Sequence, residues 1–265
     1  MIDAPKRKRR WLQFSLRSLL VFTVLCAIAA AWLGRKIERK RQEQAAVDAI
    51  RSEGGAVLYD YHGDQPDGPA WLRWLIGENF FNEVRLVWWS HGLESLPNLR
   101  DESLRNLKEL PQLRDLRIWA PNITDAGLEN LRGLTQLRSL ELARTKVSDA
   151  GLINLKGLTN LEHLSLDETQ VSDAGLESLK GLPRLQRLSL IGTNVSDAGM
   201  VHLRGLIELQ YLFLSNTQVS DAGLQSLKGL TRLQQLGLWG TKVTGAGVAN
   251  LKKALPSCQI VHDRW

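Results

Sequence analysis

From residue 110 onward, leucines recur with a step of 24 residues, and the polar positions between them repeat with the same step. The common unit reads LxxLxxLxLxxTxVSDAGLxxLKG. Its LxL pair, for example Leu140 and Leu142, alternates with a period of two, which predicts a short strand with both leucines on one face. Leu152 and Leu155 stand three residues apart, which predicts one apolar face of a short helix. Each unit therefore predicts a strand and a helix that share one core.

A fixed repeat period of about 20 to 50 residues is typical of stacked units, none of which buries its apolar face alone. The regular repeats cover residues 110–253 and begin at Leu110, Leu134, Leu158, Leu182, Leu206 and Leu230. A degenerate first repeat covers residues 84–109, because Asp101, Leu104 and Leu107 fall on the same period. Residues 254–265 are expected to close the stack with a last strand.

The polar part of the unit predicts helix caps. Ser or Thr before each aspartate is expected to be the N-cap, and the aspartates favour the positive end of the helix dipole; they stand at Asp125, Asp149, Asp173, Asp197 and Asp221. Calcium binding by this column is the alternative, but capping is favoured because each aspartate opens a helix. The Gly after Lys156, Lys180 and Lys228 is predicted to be the C-cap. Gly151 is expected to permit a close approach between adjacent turns.

The LxxLxLxxT segment followed by VSDAGLxxLKG resembles the leucine-rich repeat family, in the 24-residue form of membrane-anchored bacterial proteins. The resemblance covers residues 110–253 and, more weakly, 84–109. It implies an α/β solenoid with a curved parallel sheet on the concave face and short helices on the convex face. It also implies protein or ligand recognition through variable strand positions, and a side-chain ladder formed here by the hydroxyls of Thr145, Thr169, Thr193, Thr217 and Thr241.

Residues 54–90 do not match the repeat and predict an N-terminal α/β cap over the open end of the solenoid. Strands are predicted at 56–61 and 84–88, with a loop at 64–69 and a helix at 69–81 that proline opens. A ligand pocket in this apolar stretch is the alternative, but no polar constellation supports it.

The N-terminal segment predicts a membrane anchor. Residues 19–33 carry no charge, and residues 14–34 together reach the length that spans a bilayer, after a basic cytoplasmic tail at 1–13. A cleaved signal peptide, which would leave a secreted or periplasmic protein, is the alternative. The anchor is favoured because Arg35 and Lys36 follow at once. Residues 35–53 predict a helix that leads out of the membrane as a spacer, and the repeats are expected outside the cytoplasm.

Charge and cysteine content limit the partners and cofactors. Residues 1–41 hold 11 Lys and Arg against two acids, whereas the other 224 residues hold 23 basic and 26 acidic side chains. This mildly acidic balance argues against nucleic-acid binding by the repeats. Cys26 and Cys258 provide no disulfide framework, and the five histidines are too scattered to predict a metal site. No cofactor motif is present.

Positions between the strand leucines are expected on the concave surface, in three columns. These are Asp115, Ser139, His163, Arg187, Tyr211, Gln235; Arg117, Glu141, Ser165, Ser189, Phe213, Gly237; and Trp119, Ala143, Asp167, Ile191, Ser215, Trp239. The predicted partner contacts are Trp119, His163, Asp167, Arg187, Ile191, Tyr211, Phe213 and Trp239. Tyr211, Phe213 and Trp239, with Ile191 beside them, form the favoured anchor. The alternative is that the last strand or the tail, including Trp265, covers them.

A polar patch is also predicted on this face, formed by Glu141, Arg144, His163, Asp167 and Glu168. His163, Ser165 and Asp167 share a strand face, but residues two apart lie about 6.6 Å from each other at Cα, and the serine stands between the other two. The sequence therefore predicts a non-catalytic, monomeric repeat scaffold that is anchored in a membrane and recognises a protein or peptide. A structural spacer of the cell envelope is the alternative, and a hydrolase is a remote one.

Overall fold

The computed structural model describes residues 16–60, 82–89 and 99–263. The basic tail at 1–13, the loop and helix predicted at 64–81, residues 90–98 and residues 264–265 lie outside the described residues. The chain forms two compact units, Met1–Gln42 and Glu43–Trp265.

Helix α1 runs from Leu16 to Ser52 and supplies the described part of the first unit. Leu19–Ser52 contains a window of mean hydropathy 1.7 and is long and apolar enough, by length and composition, to cross a membrane. Its apolar side chains from Leu19 to Leu33 are exposed. The segments predicted as anchor and spacer are therefore parts of one continuous helix.

The C-terminal end of α1 is a structural part of the second unit. Ala46, Val47 and Ile50 are buried in the same core cluster as the repeat leucines. The prediction that residues 35–53 form a spacer is therefore wrong for these last turns, because their apolar face packs in the core of the repeats as part of the cap. Gly54 has a φ of 80°, and this left-handed residue follows the end of the helix at Ser52.

The second unit contains one nine-stranded sheet whose strands follow the order of the sequence. Strands β1 and β2 are antiparallel, and every later strand is parallel to its predecessor. The strands are β1 Ala56–Tyr59, β2 Val84–Trp89, β3 Asp115–Ile118, β4 Ser139–Glu141, β5 His163–Ser165, β6 Arg187–Ser189, β7 Tyr211–Phe213, β8 Gln235–Leu238 and β9 Gln259–His262. The predicted last strand is thus β9.

Short helical segments connect the strands on the other side of the core. The α-helices are α2 Asp125–Leu128, α3 Asp149–Leu152, α4 Met200–Leu203, α5 Asp221–Leu224 and α6 Gly245–Ala254; 3-10 turns cover Asp101–Glu109, Glu129–Leu131, Ile153–Leu155, Gly175–Gly181 and Gln225–Leu227. Strand and helix leucines meet as predicted, since Leu140, Leu142, Leu152 and Leu155 are all 0% exposed. Burial of one such side chain contributes roughly 1.5–3 kcal/mol, so the stack of repeats supplies most of the stabilisation.

The predicted N-caps are confirmed at Thr124, Ser148 and Ser220. They are wrong at Ser172 and Ser196, because the helical segments there begin later, at Gly175 and Met200. The predicted glycine C-caps are wrong. Ser148 has extended backbone and its side chain accepts a hydrogen bond from the N–H of Ala150. Gly157 is not left-handed, because the positive-φ glycines of the described chain are Gly54, Gly192 and Gly240. The turn closes instead through the N–H of Leu158, which donates to the carbonyl of Leu155 at 2.9 Å, and this bond needs no left-handed residue.

The aspartates link each repeat to the next, which the local capping argument did not predict. Asp125 accepts from the backbone N–H of Ser148 through Oδ1 at 2.7 Å and from its hydroxyl through Oδ2 at 2.6 Å. The same pair of bonds joins Asp101 to Thr124, Asp149 to Ser172, Asp173 to Ser196, Asp197 to Ser220 and Asp221 to Thr244. A Cβ on Gly151 would collide with the carboxylate of Asp125. The predicted close approach between turns is confirmed.

The threonine column does not form the predicted ladder between repeats. The hydroxyl of Thr145 donates to the carbonyl of Leu142 in its own repeat at 2.8 Å. Thr169, Thr193, Thr217 and Thr241 donate to the equivalent carbonyls. A carbonyl three residues earlier is a nearer acceptor than the next repeat, so the threonines close the turns after the strands.

Candidate recognition surface on the concave face

Parallel pairing places the predicted surface columns in register. His163 pairs with Arg187, and Arg187 pairs with Tyr211. Ser165, Ser189 and Phe213 form a second row across the same strands. The leucines between these positions are buried, so the two rows face away from the core. Six strands therefore present a continuous surface with the composition that the sequence predicted.

A cavity of about 590 Å³ lies on this surface across strands β3 to β7. Its lining residues are Arg117, Trp119, Ser139, Glu141, Ala143, His163, Ser165, Asp167, Arg187, Ser189, Ile191 and Phe213. Six of the eight predicted contacts are among them. Tyr211 and Trp239 are not, and the serines and Ala143 that form the floor were not chosen as contacts. The register of the columns was the signal that could have found those small residues.

Arg187 lines this cavity from β6, and its guanidinium lies over two aromatic rings of β7. Its Cζ lies 5.0 Å from the ring centroid of Phe213 and 5.6 Å from that of Tyr211. No ion pair in the described part of the chain involves Arg187. A guanidinium that stacks on aromatic rings and has no acidic partner retains its hydrogen-bond donors for an external carboxylate.

Gly237 on the next strand positions Phe213, because a glycine has no side chain. A Cβ on Gly237 would lie 3.0 Å from Cδ1 of Phe213, so the ring lies over the space that this glycine leaves. Trp239 stands one strand further on and is 54% exposed. Strand β9 extends the sheet beside β8 and does not fold over these aromatic residues. The part of the covering alternative that involves the last strand is therefore wrong, and the position of Trp265 lies outside the described residues.

Asp167 bonds residues of the next repeat and does not form a catalytic arrangement with His163 and Ser165. Its Oδ1 accepts from the hydroxyl of Ser189 at 2.5 Å and from the backbone N–H of Ile191 at 2.9 Å. Within residues 99–263, no hydrogen bond joins any two of His163, Ser165 and Asp167. The arrangement lacks both contacts that a Ser-His-Asp triad requires.

Three charged residues of the predicted polar patch form ion pairs between adjacent repeats. Glu141 lies 3.5 Å from Arg117, which is outside the predicted patch, and Arg144 binds Glu168 through two hydrogen bonds of 3.0 and 3.2 Å. Arg144 and Glu168 both have left-handed backbone, with φ values of 57° and 55°. These four charges neutralise each other, so Arg187 is distinguished from them by its lack of an acidic partner.

In the described ranges, no group of three or more His, Cys, Asp or Glu side chains is placed to hold a metal ion. Cys258 is buried, and this burial raises the pKa of its thiol, an effect that the nearby Lys252 ammonium partly opposes. A protonated, buried thiol is a poor nucleophile.

The comparisons with known proteins support a leucine-rich repeat architecture. Residues 157–180 match the family model described as Leucine Rich repeat. An internalin (inlF) of Listeria monocytogenes is similar in structure, with a TM-score of 0.51 and 24% identity over 64% of this chain and 53% of that chain. An internalin C2 (inlC2) of the same organism has a TM-score of 0.46 and 24% identity over 64% of this chain and 79% of that chain. No curated protein sequence matches.

The first of these similarities concerns the fold, since its identity is 24% and this chain spans about half the length of that internalin. Together with the sequence-ordered sheet and the short helices on its other face, it shows a leucine-rich repeat solenoid preceded by an apolar helix. Such a fold is suited to a protein-interaction scaffold.

Proposed function

We propose that this chain is a membrane-anchored, non-catalytic recognition protein whose concave face binds an extended segment of a protein partner. The observation that carries the proposal is Arg187, which lines an open cavity, lies over the rings of Tyr211 and Phe213 and has no acidic partner in the described chain. This arrangement provides a charged anchor point and a rigid aromatic contact at one place.

The cavity dimensions fit a short extended peptide. Five strands at about 4.8 Å spacing span roughly 19 Å, which is the length of about six extended residues. An acidic side chain or a C-terminal carboxylate of such a segment would bind Arg187. Apolar side chains would contact Trp119 and Ile191, which also line the cavity. The neutralised pairs Arg117–Glu141 and Arg144–Glu168 would border the bound segment without attracting a second charge.

The anchor part of the proposal is carried by α1. Its apolar residues from Leu19 to Leu33 are exposed within the chain, which is costly in water and favourable in hydrocarbon. The 24-residue form of the repeat, typical of membrane-anchored bacterial proteins in the resemblance, agrees with this arrangement. We therefore propose a single-pass protein with the repeats outside the cytoplasm.

Site-specific photocrosslinking of the full chain in its native membrane tests the recognition function. A photoreactive residue replaces Ser165 on the cavity floor, and the matched control carries it at Gln225 on an exposed helical segment. We expect the Ser165 position to give a discrete crosslinked protein whose yield saturates, and the Gln225 position not to give it. Arg187→Gln should reduce the yield about tenfold, because the charged anchor is lost.

Equal crosslinking from both positions, or none from Ser165, would contradict recognition on the concave face and favour the structural spacer. Alkaline carbonate extraction of the same membranes tests the anchor separately. Release of the chain into the soluble fraction would contradict membrane anchoring and leave the recognition surface to be judged by the crosslinks alone.

A further inference from the structure

The flank of the solenoid on which the parallel strands begin carries a concentrated positive charge. We call it the strand-start flank, and it consists of the segments between each helical segment and the next strand: 108–114, 132–138, 156–162, 180–186, 204–210, 228–234 and 252–258. These segments contain twelve Lys and Arg against three Glu, a net charge of +9. Residues 42–265 as a whole hold 23 basic and 26 acidic side chains. The acidic excess of the domain therefore lies elsewhere.

The opposite flank, on which the strands end, does not share this charge. Its segments are 119–124, 143–148, 167–172, 191–196, 215–220 and 239–244, with three basic and two acidic side chains and a net charge of +1. Because all strands from β2 to β9 are parallel, the two flanks cannot mix. The fold thus gives residues 42–265, whose net charge is −3, one strongly basic side.

Backbone hydrogen bonds hold the strand-start flank in register. The N–H of Arg138 donates to the carbonyl of Arg114 at 2.7 Å, that of Glu162 to Arg138 at 2.8 Å, and that of Gln186 to Glu162 at 2.8 Å. The same bond continues to Gln234. A Cβ on Gly181 would lie 3.2 Å from the carbonyl oxygen of Lys156, so adjacent turns are in direct contact here. The cations therefore stand on a rigid surface.

One column of cations occupies the same position in every repeat, at Lys108, Arg132, Lys156, Lys180, Arg204, Lys228 and Lys252. These cations interact favourably with the carboxyl ends of the short helices, which explains part of the column. The flank also contains Arg138, Arg184 and Arg232, which are outside this column. They follow the helices and precede the strands, so the helix ends do not explain their positive charge.

Eight of the twelve flank cations form no ion pair with any described residue. Arg138 and Arg232 pair with Glu162 and Glu208 of the same flank, Arg114 pairs with Asp60, and Lys180 pairs with Glu177. Arg132 and Arg204 bind the neutral side chains Asn154 and Ser226. Lys156, Lys228 and Lys252 form no ion pair with any residue of the described ranges. A stack of unneutralised like charges destabilises a free domain unless an anion accompanies it.

We propose that the strand-start flank docks on an anionic lipid surface. Its cations are side chains of a regular, extended row with no aromatic residue between them on which a base could stack, which matches the dispersed negative charge of lipid headgroups. The anchor of the proposed function would keep the domain close to such a surface, and in that respect this inference rests on the proposed function. Recognition on the concave face is independent of it, because the flank and the cavity have no charged contact residue in common.

Acylation of lysines in nanodiscs tests this docking with the unmodified full chain. The discs contain phosphatidylcholine alone or phosphatidylcholine mixed with phosphatidylglycerol, and mass spectrometry follows acylation of Lys156, Lys180 and Lys228. Lys146 and Lys242 on the strand-end flank are exposed internal controls. We expect phosphatidylglycerol to slow acylation of the three flank lysines about fivefold or more, with no change at the controls. High salt should abolish the protection, since the charges are at the surface.

Equal acylation in both kinds of disc, or equal protection of both flanks, would overturn the proposal. Protection of the three lysines in neutral discs by added double-stranded DNA or heparin, without protection by phosphatidylglycerol, would overturn it in favour of a soluble polyanion. Co-elution of the chain with the neutral discs reports on the anchor alone. A chain that fails to enter the discs would contradict the proposed anchor, and the same acylation would then be measured on added anionic vesicles.

Discussion

Asp173 in one repeat holds Ser196 of the next through two hydrogen bonds, from the backbone N–H at 2.7 Å and from the hydroxyl at 2.5 Å. The hydroxyl of Ser196 in turn accepts from the N–H of Ala198, two residues before helix α4 begins at Met200. One carboxylate therefore connects two turns of the solenoid and orients the turn that leads into the second helix.

Asp173→Ala should lower the free energy of unfolding by about 2–3 kcal/mol, because two donors in a half-buried site lose a charged acceptor. Urea unfolding of the full chain in detergent, followed by circular dichroism, measures the change. Glu177→Ala is the matched control, since Glu177 is exposed and its salt bridge to Lys180 is a surface pair. This control should change stability by less than about 0.5 kcal/mol. Equal losses in the two variants would show that the interrepeat bonds contribute nothing specific.

Gly199→Ala should destabilise the protein, whereas Gly205→Ala in the same repeat should not. A Cβ on Gly199 would lie 2.9 Å from Cδ1 of Leu176 and 3.2 Å from the Cα of Asp173. At Gly205 a Cβ would meet nothing within 4 Å. We expect a loss of about 1–3 kcal/mol for the first variant from overpacking, and no loss for the second. A similar stability of the two variants in the same urea titration would refute the close-packing explanation.

Trp239→Ala and Tyr211→Ala should weaken binding of the crosslinked partner while leaving the thermal midpoint nearly unchanged. Trp239 is 54% exposed, and the hydroxyl of Tyr211 bonds the exposed side chain of Gln234 at 3.1 Å. Neither ring contributes to the buried core, so their main contribution is to an interface. Affinity by titration and the midpoint by thermal denaturation give the two readouts. A fall of the midpoint by many degrees with unchanged affinity would assign the rings a structural role.

Ile50→Ala should destabilise the second unit, although α1 begins in the apolar segment. Ile50 is 0% exposed and belongs to the core cluster of the repeats. Removal of a buried isoleucine leaves a cavity and costs about 2–5 kcal/mol. Arg51→Ala is the control, because Arg51 is exposed on the same turn. Unfolding of the repeats at the same urea concentration in both variants would restore the spacer interpretation of residues 35–53.

Cys258 should resist alkylation at a pH equal to the ordinary thiol pKa of 9.0, because burial raises its pKa and blocks access. Since the folded pKa is raised, the thiol's contribution to stability is complete below the ordinary value and is lost as the pH rises through the folded one. Iodoacetamide labelling of a Cys26→Ala variant across a urea titration measures this with one thiol present. Rapid labelling in the absence of urea would show that the last repeat is open.

The repeat period made the strands and their register predictable. Once Leu140 and Leu142 face a core, the next repeat must place Leu164 and Leu166 beside them, so the surface columns follow without knowledge of the coordinates. The cavity floor follows from the same register. The identity of the neighbours across the sheet is therefore information that a single sequence contains.

Contacts that depend on the direction of a side chain could not be predicted in this way. The sequence predicts that Asp125 interacts with the end of its own helix, because it shows which residues are near along the chain. Ser148, which Asp125 binds, is distant along it. Thr145 was assigned to a ladder, but its own Leu142 carbonyl is the nearer acceptor. Arg187 stacks on aromatic rings because Gly237 leaves space for Phe213, a relation between three repeats. The net charge of residues 42–265 does not indicate the basic flank, because it sums the charges of both sides of the domain.

Each aspartate of the column bonds the Ser or Thr of the next repeat and of no later one. The column stops where Gly245 replaces the aspartate after Thr244. A whole 24-residue unit between residues 125 and 244 is therefore exchangeable, because its insertion or deletion leaves every aspartate opposite a Ser or Thr. Evolution can lengthen or shorten the concave face by one strand at a time without redesign of the joints. An engineered chain could use the same property, because the number of repeats sets the length of the concave face and so the length of ligand that it accepts.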